Sequence, residues 1–355
     1  MLPLIFDIRK LLVTFAISLI FGWFFFSFNL PAPYLMGSLF GVWLVGGIFP
    51  SIQPFLGVAR WVHVPVILGL GVLIGATFTA DILTNIQRWS VTVFTMIGVT
   101  VLVTFVGYMF LTRLRGYEPR LAFLCSVPGG QAEATVMARE LVDKDYVVAL
   151  FHLIRVTFVF LTTPLLLAIL EGQEAVTQSN VVLQSMPSLT DLGLLKLAKF
   201  VGIAVGGYFA ARFLRIPMPH LTGPILLSAS LHIFGIVAIP RINEFVIIAQ
   251  LVIGGAVGAR LAQVSFSEVL QYLRDGLINT ILILAAYLTA TLLMSSIMGV
   301  SFLEMWLAFV PGGLYEVTLL ALIFGFDIAF VAFHHTVRIM MVFLTMPFIV
   351  SHIKK

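Results

Sequence analysis

Charge is scarce in this sequence: 10% of its 355 residues are Asp, Glu, Lys or Arg, where a soluble domain carries about a quarter. With 60% of the residues hydrophobic, that scarcity excludes a soluble globular protein. There is one cysteine, Cys125, so no intramolecular disulfide forms and cysteine-rich metal sites are excluded; its ordinary role is that of a small buried side chain. HExxH, Cys/His clusters and GxxxxGK[ST] are all absent, which leaves no footing for a metal cofactor or for P-loop ATP hydrolysis. The 20 Lys and Arg stand singly between apolar runs rather than on one face, so the formal charge of +4 does not read as a nucleic-acid surface.

What is present is apolar sequence in lengths near the roughly 20 residues that cross a bilayer. Segments lie near 11–28, 34–49, 61–79, 90–112, 121–142 and 147–170, and again near 193–214, 220–239, 243–262, 276–298, 302–324 and 327–350. Arg9 and Lys10 precede the first, which has no small-x-small cleavage site and is expected to be a retained span. The expected class is an all-α polytopic membrane protein.

Sliding the chain along itself aligns 127–164 with 310–347 without a gap, and the matched residues include Pro, Gly, Glu, His and Arg. Apolar composition alone cannot produce such a set, so the halves are an internal duplication. The same offset pairs Gly71 with Gly254 and Gly75 with Gly258, and one three residues longer pairs Pro31–Gly37 with Pro217–Gly223. Three parts follow: an N-terminal repeat over 1–170, a polar connection over 171–192 and a C-terminal repeat over 193–355.

The distribution of Lys and Arg tests topology. Twelve full spans place only a modest majority of them on one side. If 121–142 and 302–324 instead enter and leave on the same side, the majority becomes much larger and the acidic connection falls opposite. The preferred arrangement is therefore two inverted repeats of five spans each with two re-entrant segments, and twelve full spans is the alternative.

Each re-entrant segment carries Val-Pro-Gly-Gly-x-x-Glu-x-Thr: Pro128, Gly129, Gly130, Gln131, Glu133 and Thr135 in the first, Pro311, Gly312, Gly313, Glu316 and Thr318 in the second. Pro-Gly-Gly breaks a helix, and broken backbone persists at membrane depth only where protein or water satisfies it. The freed amides could face an anionic group, while glycines that merely allow close helix packing are the plainer reading. Glu133 and Glu316 could cap those amides, hold a coupling cation or accept a proton. Leu314 and Tyr315 replace the Gln131 position and its neighbour, so the two sites are unequal.

Downstream, His152-x-x-Arg155 and His335-x-x-Arg338 each place an imidazole and a guanidinium on one helix face inside an apolar segment. Burying Glu133, Arg155, Glu316 and Arg338 at mid-span costs about 10–14 kcal/mol on insertion scales, so they must be paired or hydrated. A structural Glu/Arg lock, carbonyls at broken helix ends and a substrate carboxylate are all open partners for the arginines. The histidines could exchange protons or simply bond to carbonyls; His334 has no counterpart in the first half, and Asp145 and Asp327 stand where helix caps are expected.

The duplicated VPGG-x-x-E-x-T followed by H-x-x-R resembles the AbrB family of bacterial membrane proteins, over essentially the whole chain. The resemblance implies a multi-pass inner-membrane protein with a tandem duplicated domain; it implies no substrate. The reading carried forward is an ion-gradient-coupled secondary transporter of a small, anionic organic solute, its site near the midplane at the repeat interface. A membrane-embedded regulator or sensor of gene expression without net transport is the alternative. No enzyme activity and no cofactor are expected, and the expected partners are the bilayer, the solute and a coupling proton or Na+, with a homo-oligomer left open.

Overall fold

The computed structural model describes residues 2–78, 80, 82–129, 134–135, 137–138, 141–216, 218–264 and 266–353. Among them the secondary structure is entirely helical. In chain order the helices are α1 (Leu2–Ser27), α2 (Pro33–Ile48), α3 (Arg60–Gly75), α4 (Ile82–Met109), α5 (Pro119–Ser126), α6 (Asp145–Leu170), α7 (Gly172–Ser185), α8 (Leu194–Phe213), α9 (Pro219–Ile233), α10 (Asn243–Ala262), α11 (Phe266–Met298), α12 (Phe302–Phe309), α13 (Leu314–Phe324) and α14 (Ile328–His352). Proline begins α2, α5 and α9, where its missing amide costs nothing. A π turn over Phe110–Leu114 closes α4.

Seven stretches, within α1, α4, α6, α8, α10, α11 and α14, are long and apolar enough to cross a membrane, which makes this a membrane protein. Helices α2, α3 and α9 are shorter, about 23–24 Å at 1.5 Å per residue. The polar connection is more ordered than its composition suggests. It contains α7 and a 3-10 turn at Leu189–Asp191, held by hydrogen bonds from Asn29 to Thr177 and from Ser188 to Glu244.

Two compact units are present, and each takes helices from both repeats. One comprises Met1–Ile82, Pro164–Val264 and Thr318–Ala329; the other comprises Leu83–Thr163, Ser265–Val317 and Phe330–Lys355. In the first unit, α2 packs on α1 and on α10, and α9 packs on α8 and on α3. The second helix of each repeat thus pairs with the third helix of the other. Glycines set the approach: a Cβ on Gly71 would lie 2.9 Å from Leu221 O and one on Gly254 would lie 2.5 Å from Leu35 O. One turn on, Gly75 meets Ile225 O and Gly258 meets Leu39 O, so the two contacts are copies of each other.

The second unit decides the topology. Arg115, at the end of α4, binds Asp275 near the start of α11, with Nε 2.8 Å from Oδ1. Thr95 near the other end of α4 meets Met294 near the end of α11, so these counterpart helices run antiparallel. Tyr117 meets Tyr272 edge to face, and Lys144 just before α6 donates to Tyr272 Oη at 3.0 Å. Residues 117 and 144 therefore lie at one end, against the same tyrosine. At the opposite end, Trp89 and Thr92 of α4 meet Phe330 and His334 of α14, beside the end of α11, so the flanks of 302–324 also lie together. Counterpart helices of the two repeats thus run antiparallel, as inverted repeats require, and the flanks of 121–142 and of 302–324 each lie at one end, as two re-entrant segments require.

Candidate functional site

Each break begins with the same local physics. A residue before proline is pushed out of the helical region, and Val127 and Val310 are accordingly extended, with ψ of 121° and 134°. Gly129 follows at φ +103°, a conformation that side chains rarely adopt. After Gly313 the chain resumes as α13, and the Glu316 carboxylate lies over the Gly313 Cα, where a Cβ would collide with it. That is the third position of the helix, the place from which a carboxylate reaches back over the cap.

Arg338 closes the other side of the second break. Its Nη1 donates to Phe309 O at 2.7 Å and its Nη2 to Val310 O at 3.0 Å, the carbonyls that Pro311 leaves without helical partners. A cation at the end of α12 also suits the helix dipole. The same Nη2 donates to His335 Nδ1 at 2.8 Å, and His335 Nε2 donates to Leu307 O at 2.8 Å. The first repeat copies the core of this motif: Arg155 Nη2 donates to His152 Nδ1 at 2.9 Å and His152 Nε2 to Leu124 O at 3.0 Å.

These partners fix the histidine tautomer. A carbonyl only accepts and a guanidinium only donates, so each ring carries its proton on Nε2 and presents a bare Nδ1. A second proton would point Nδ1–H at an arginine N–H. The carbonyl-bonded reading of both histidines is the one the geometry favours over proton exchange. His334 differs from both, with Nε2 2.8 Å from Thr92 Oγ1 and Nδ1 2.8 Å from Phe330 O.

His152, His335 and Arg338 are fully buried and Arg155 is 2% exposed. Among the described residues, Nε of Arg155 and Nε of Arg338 have no hydrogen-bond partner. Arg338 also links the repeats: a Cβ on Gly129 would lie 3.7 Å from its Nε, while one on Gly312 would lie 3.3 Å from Val159 of the first repeat. Both breaks thus belong to one unit, with the Arg338 guanidinium capping one and flanking the other. Its Cζ stands 5.9 Å from the ring of Tyr287, whose hydroxyl meets Thr100 at 2.6 Å.

Of the residues singled out by sequence, Pro128, Gly129, His152, Arg155, Pro311, Gly312, Gly313, Glu316, His335 and Arg338 fall in this unit. Thr318, on α13, falls in the other; Thr135 is half-buried and helical; Gly130, Gln131 and Glu133 lie outside the described residues. Sequence reading passed over Tyr287, Thr100 and the carbonyls of Leu124, Leu307, Phe309 and Val310. A lone tyrosine in an apolar span was a usable signal for the first; carbonyls leave none. Among the described residues no group of three or more His, Cys, Asp or Glu is placed to hold a metal. Outside the spans, burial and the neighbouring Asp275 push the Tyr117 phenol up, and the hydrogen bond to Tyr272 raises Lys144.

Comparison with known proteins gives a consistent result. The sequence model of the family described as transition state regulatory protein AbrB matches residues 43–354. A protein of Escherichia coli (strain K12), provisionally named regulator AbrB, is 25% identical over 338 residues, 95% of this chain and 94% of its own length. The uncharacterized protein YhjN of Bacillus subtilis (strain 168) is 23% identical over 297 residues, 81% of this chain and 77% of its own. This all-α, polytopic membrane protein with two broken, inverted repeats belongs to the AbrB family.

Proposed function

We propose that the protein is an ion-gradient-coupled secondary transporter of a small anionic organic solute, acting in the bacterial inner membrane without enzyme activity or cofactor. The observation that carries this reading is the meeting of two helix breaks from inverted repeats in one compact unit, with two buried guanidinium groups at them. Irregular backbone and buried charge are each costly in a bilayer, and both are concentrated at one place.

The arginines divide the work. Both keep an Nε without a hydrogen-bond partner among the described residues, but the terminal nitrogens of Arg338 are committed to the carbonyls of Phe309 and Val310, whereas Arg155 has its Nη2 on His152 and is the one left to meet a carboxylate. Glu316, and Glu133 in the equivalent sequence position, take the coupling proton or Na+; a carboxylate at a helix start can exchange between the helix amides and a cation. The family description and the name of the E. coli relative favour a second reading, a membrane-embedded regulator that senses the same solute without moving it.

The test is thermal shift of the purified protein against small carboxylates, repeated on Arg155→Gln, followed by uptake of each stabilising compound into proteoliposomes under an imposed proton or Na+ gradient. Stabilisation of the wild type alone, with gradient-driven uptake, is the expected result. Stabilisation without uptake transfers the case to the regulator. Equal stabilisation of wild type and Arg155→Gln removes Arg155 from the site.

A further inference from the structure

A groove of about 390 Å³ runs between α4 and α14 in the second unit, over a floor made by Phe123 and Val127 at the end of α5. Along α14 its lining reaches from Met341 to Ile353, about 18 Å at helical rise. Its three threonine hydroxyls, Thr100, Thr104 and Thr345, are each turned onto a carbonyl one turn back, at 2.7, 2.7 and 2.8 Å. None of the three threonine hydroxyls therefore calls for a polar occupant; with Tyr108 adding one phenol to an otherwise apolar lining, the groove accepts hydrocarbon. Both walls are membrane-crossing helices, and Val101 and Phe105 on the rim are 60% and 57% exposed. The medium at that rim is the bilayer's own acyl chains.

One end of the groove is not apolar. Arg120 donates from Nε to the carbonyl of Ile353, the last lining residue, at 3.0 Å. That bond fixes the side chain at the mouth and leaves the fork of the guanidinium, which suits a phosphate. Arg113, exposed on the π turn that closes α4, adds a second cation at the same end of that helix. Arg115, by contrast, is taken by Asp275.

We infer that this groove is a binding site for one anionic phospholipid, an acyl chain lying between α4 and α14 and its phosphate at Arg120. The occupant would touch Val127, the residue before Pro128, so the lipid would bear directly on the first helix break. The inference is independent of what the breaks bind.

Native mass spectrometry of the full chain, with phosphatidylglycerol and phosphatidylcholine of identical acyl chains, tests it. The wild type is expected to hold the anionic lipid about fivefold better, the ratio for one basic side chain near an anionic headgroup. Val101→Trp and Thr345→Trp fill the groove from opposite walls, and either one, if folded, loses both lipids. Arg120→Gln keeps the chain but loses the preference. Equal binding of the two lipids by the wild type, or undiminished binding by folded groove-filled variants, overturns the site.

Discussion

Arg155 and Arg338 hold equivalent places in the two repeats, yet their surroundings set them to different tasks. Removing Arg338 leaves Phe309 O at the end of α12 without its donor, while Val310 O keeps the amide of Gly312 at 2.9 Å, and a buried acceptor so orphaned costs about 1–3 kcal/mol. Glutamine is too short to reach both. Arg338→Gln is therefore expected to lower stability by about 1–3 kcal/mol, and Arg155→Gln by clearly less. Unfolding midpoints in one detergent give the comparison, and equal losses would mean that the two guanidinium groups do the same structural work. The difference was hidden in the sequence, where both sites read His-x-x-Arg, because the partners of Arg338 are main-chain carbonyls that no side-chain pattern encodes.

Among the elements, the two interrupted helices carry the topology, and they were readable because proline and consecutive glycines act locally. Pro128 and Pro311 impose the extended residues before them wherever they stand, so the position of each break follows from its own neighbours. Helix α7 was not readable: its order rests on Asn29 and other residues far away in sequence, while hydropathy averages only what is adjacent. The same-end return of each segment has a direct check in a Cys125→Ser background. Cysteines at Arg113 and Lys144 are expected to react with an impermeant thiol reagent from one side of the membrane, and a cysteine at Gly299, after α11, from the other. Labelling of positions 113 and 144 from opposite sides would restore a full span between them.

At the scale of the whole molecule, repeats and compact units divide the chain differently, and that mismatch makes folding a property of both halves together. The glycine contacts of the first unit join α3 to α9 and α2 to α10, each a pairing of one half with the other. In the second unit, α4 of the first half is tied to α11 and α14 of the second through Arg115, Thr100 and Thr92. Neither half alone can then cover its buried glycine faces, and the second half alone lacks the Arg115 partner of buried Asp275, whereas a cut at the exposed link after α7 severs none of these contacts. Co-expression of residues 1–185 with residues 186–355 is expected to yield a complex that purifies through a tag on either piece, and each piece expressed alone should be degraded or aggregate. A stable, monodisperse single half would show that a repeat folds by itself and that the exchange of helices follows folding. Recovery of the complex alone would mean that the inverted pairing of α4 with α11 forms as the protein folds, bringing the two breaks together.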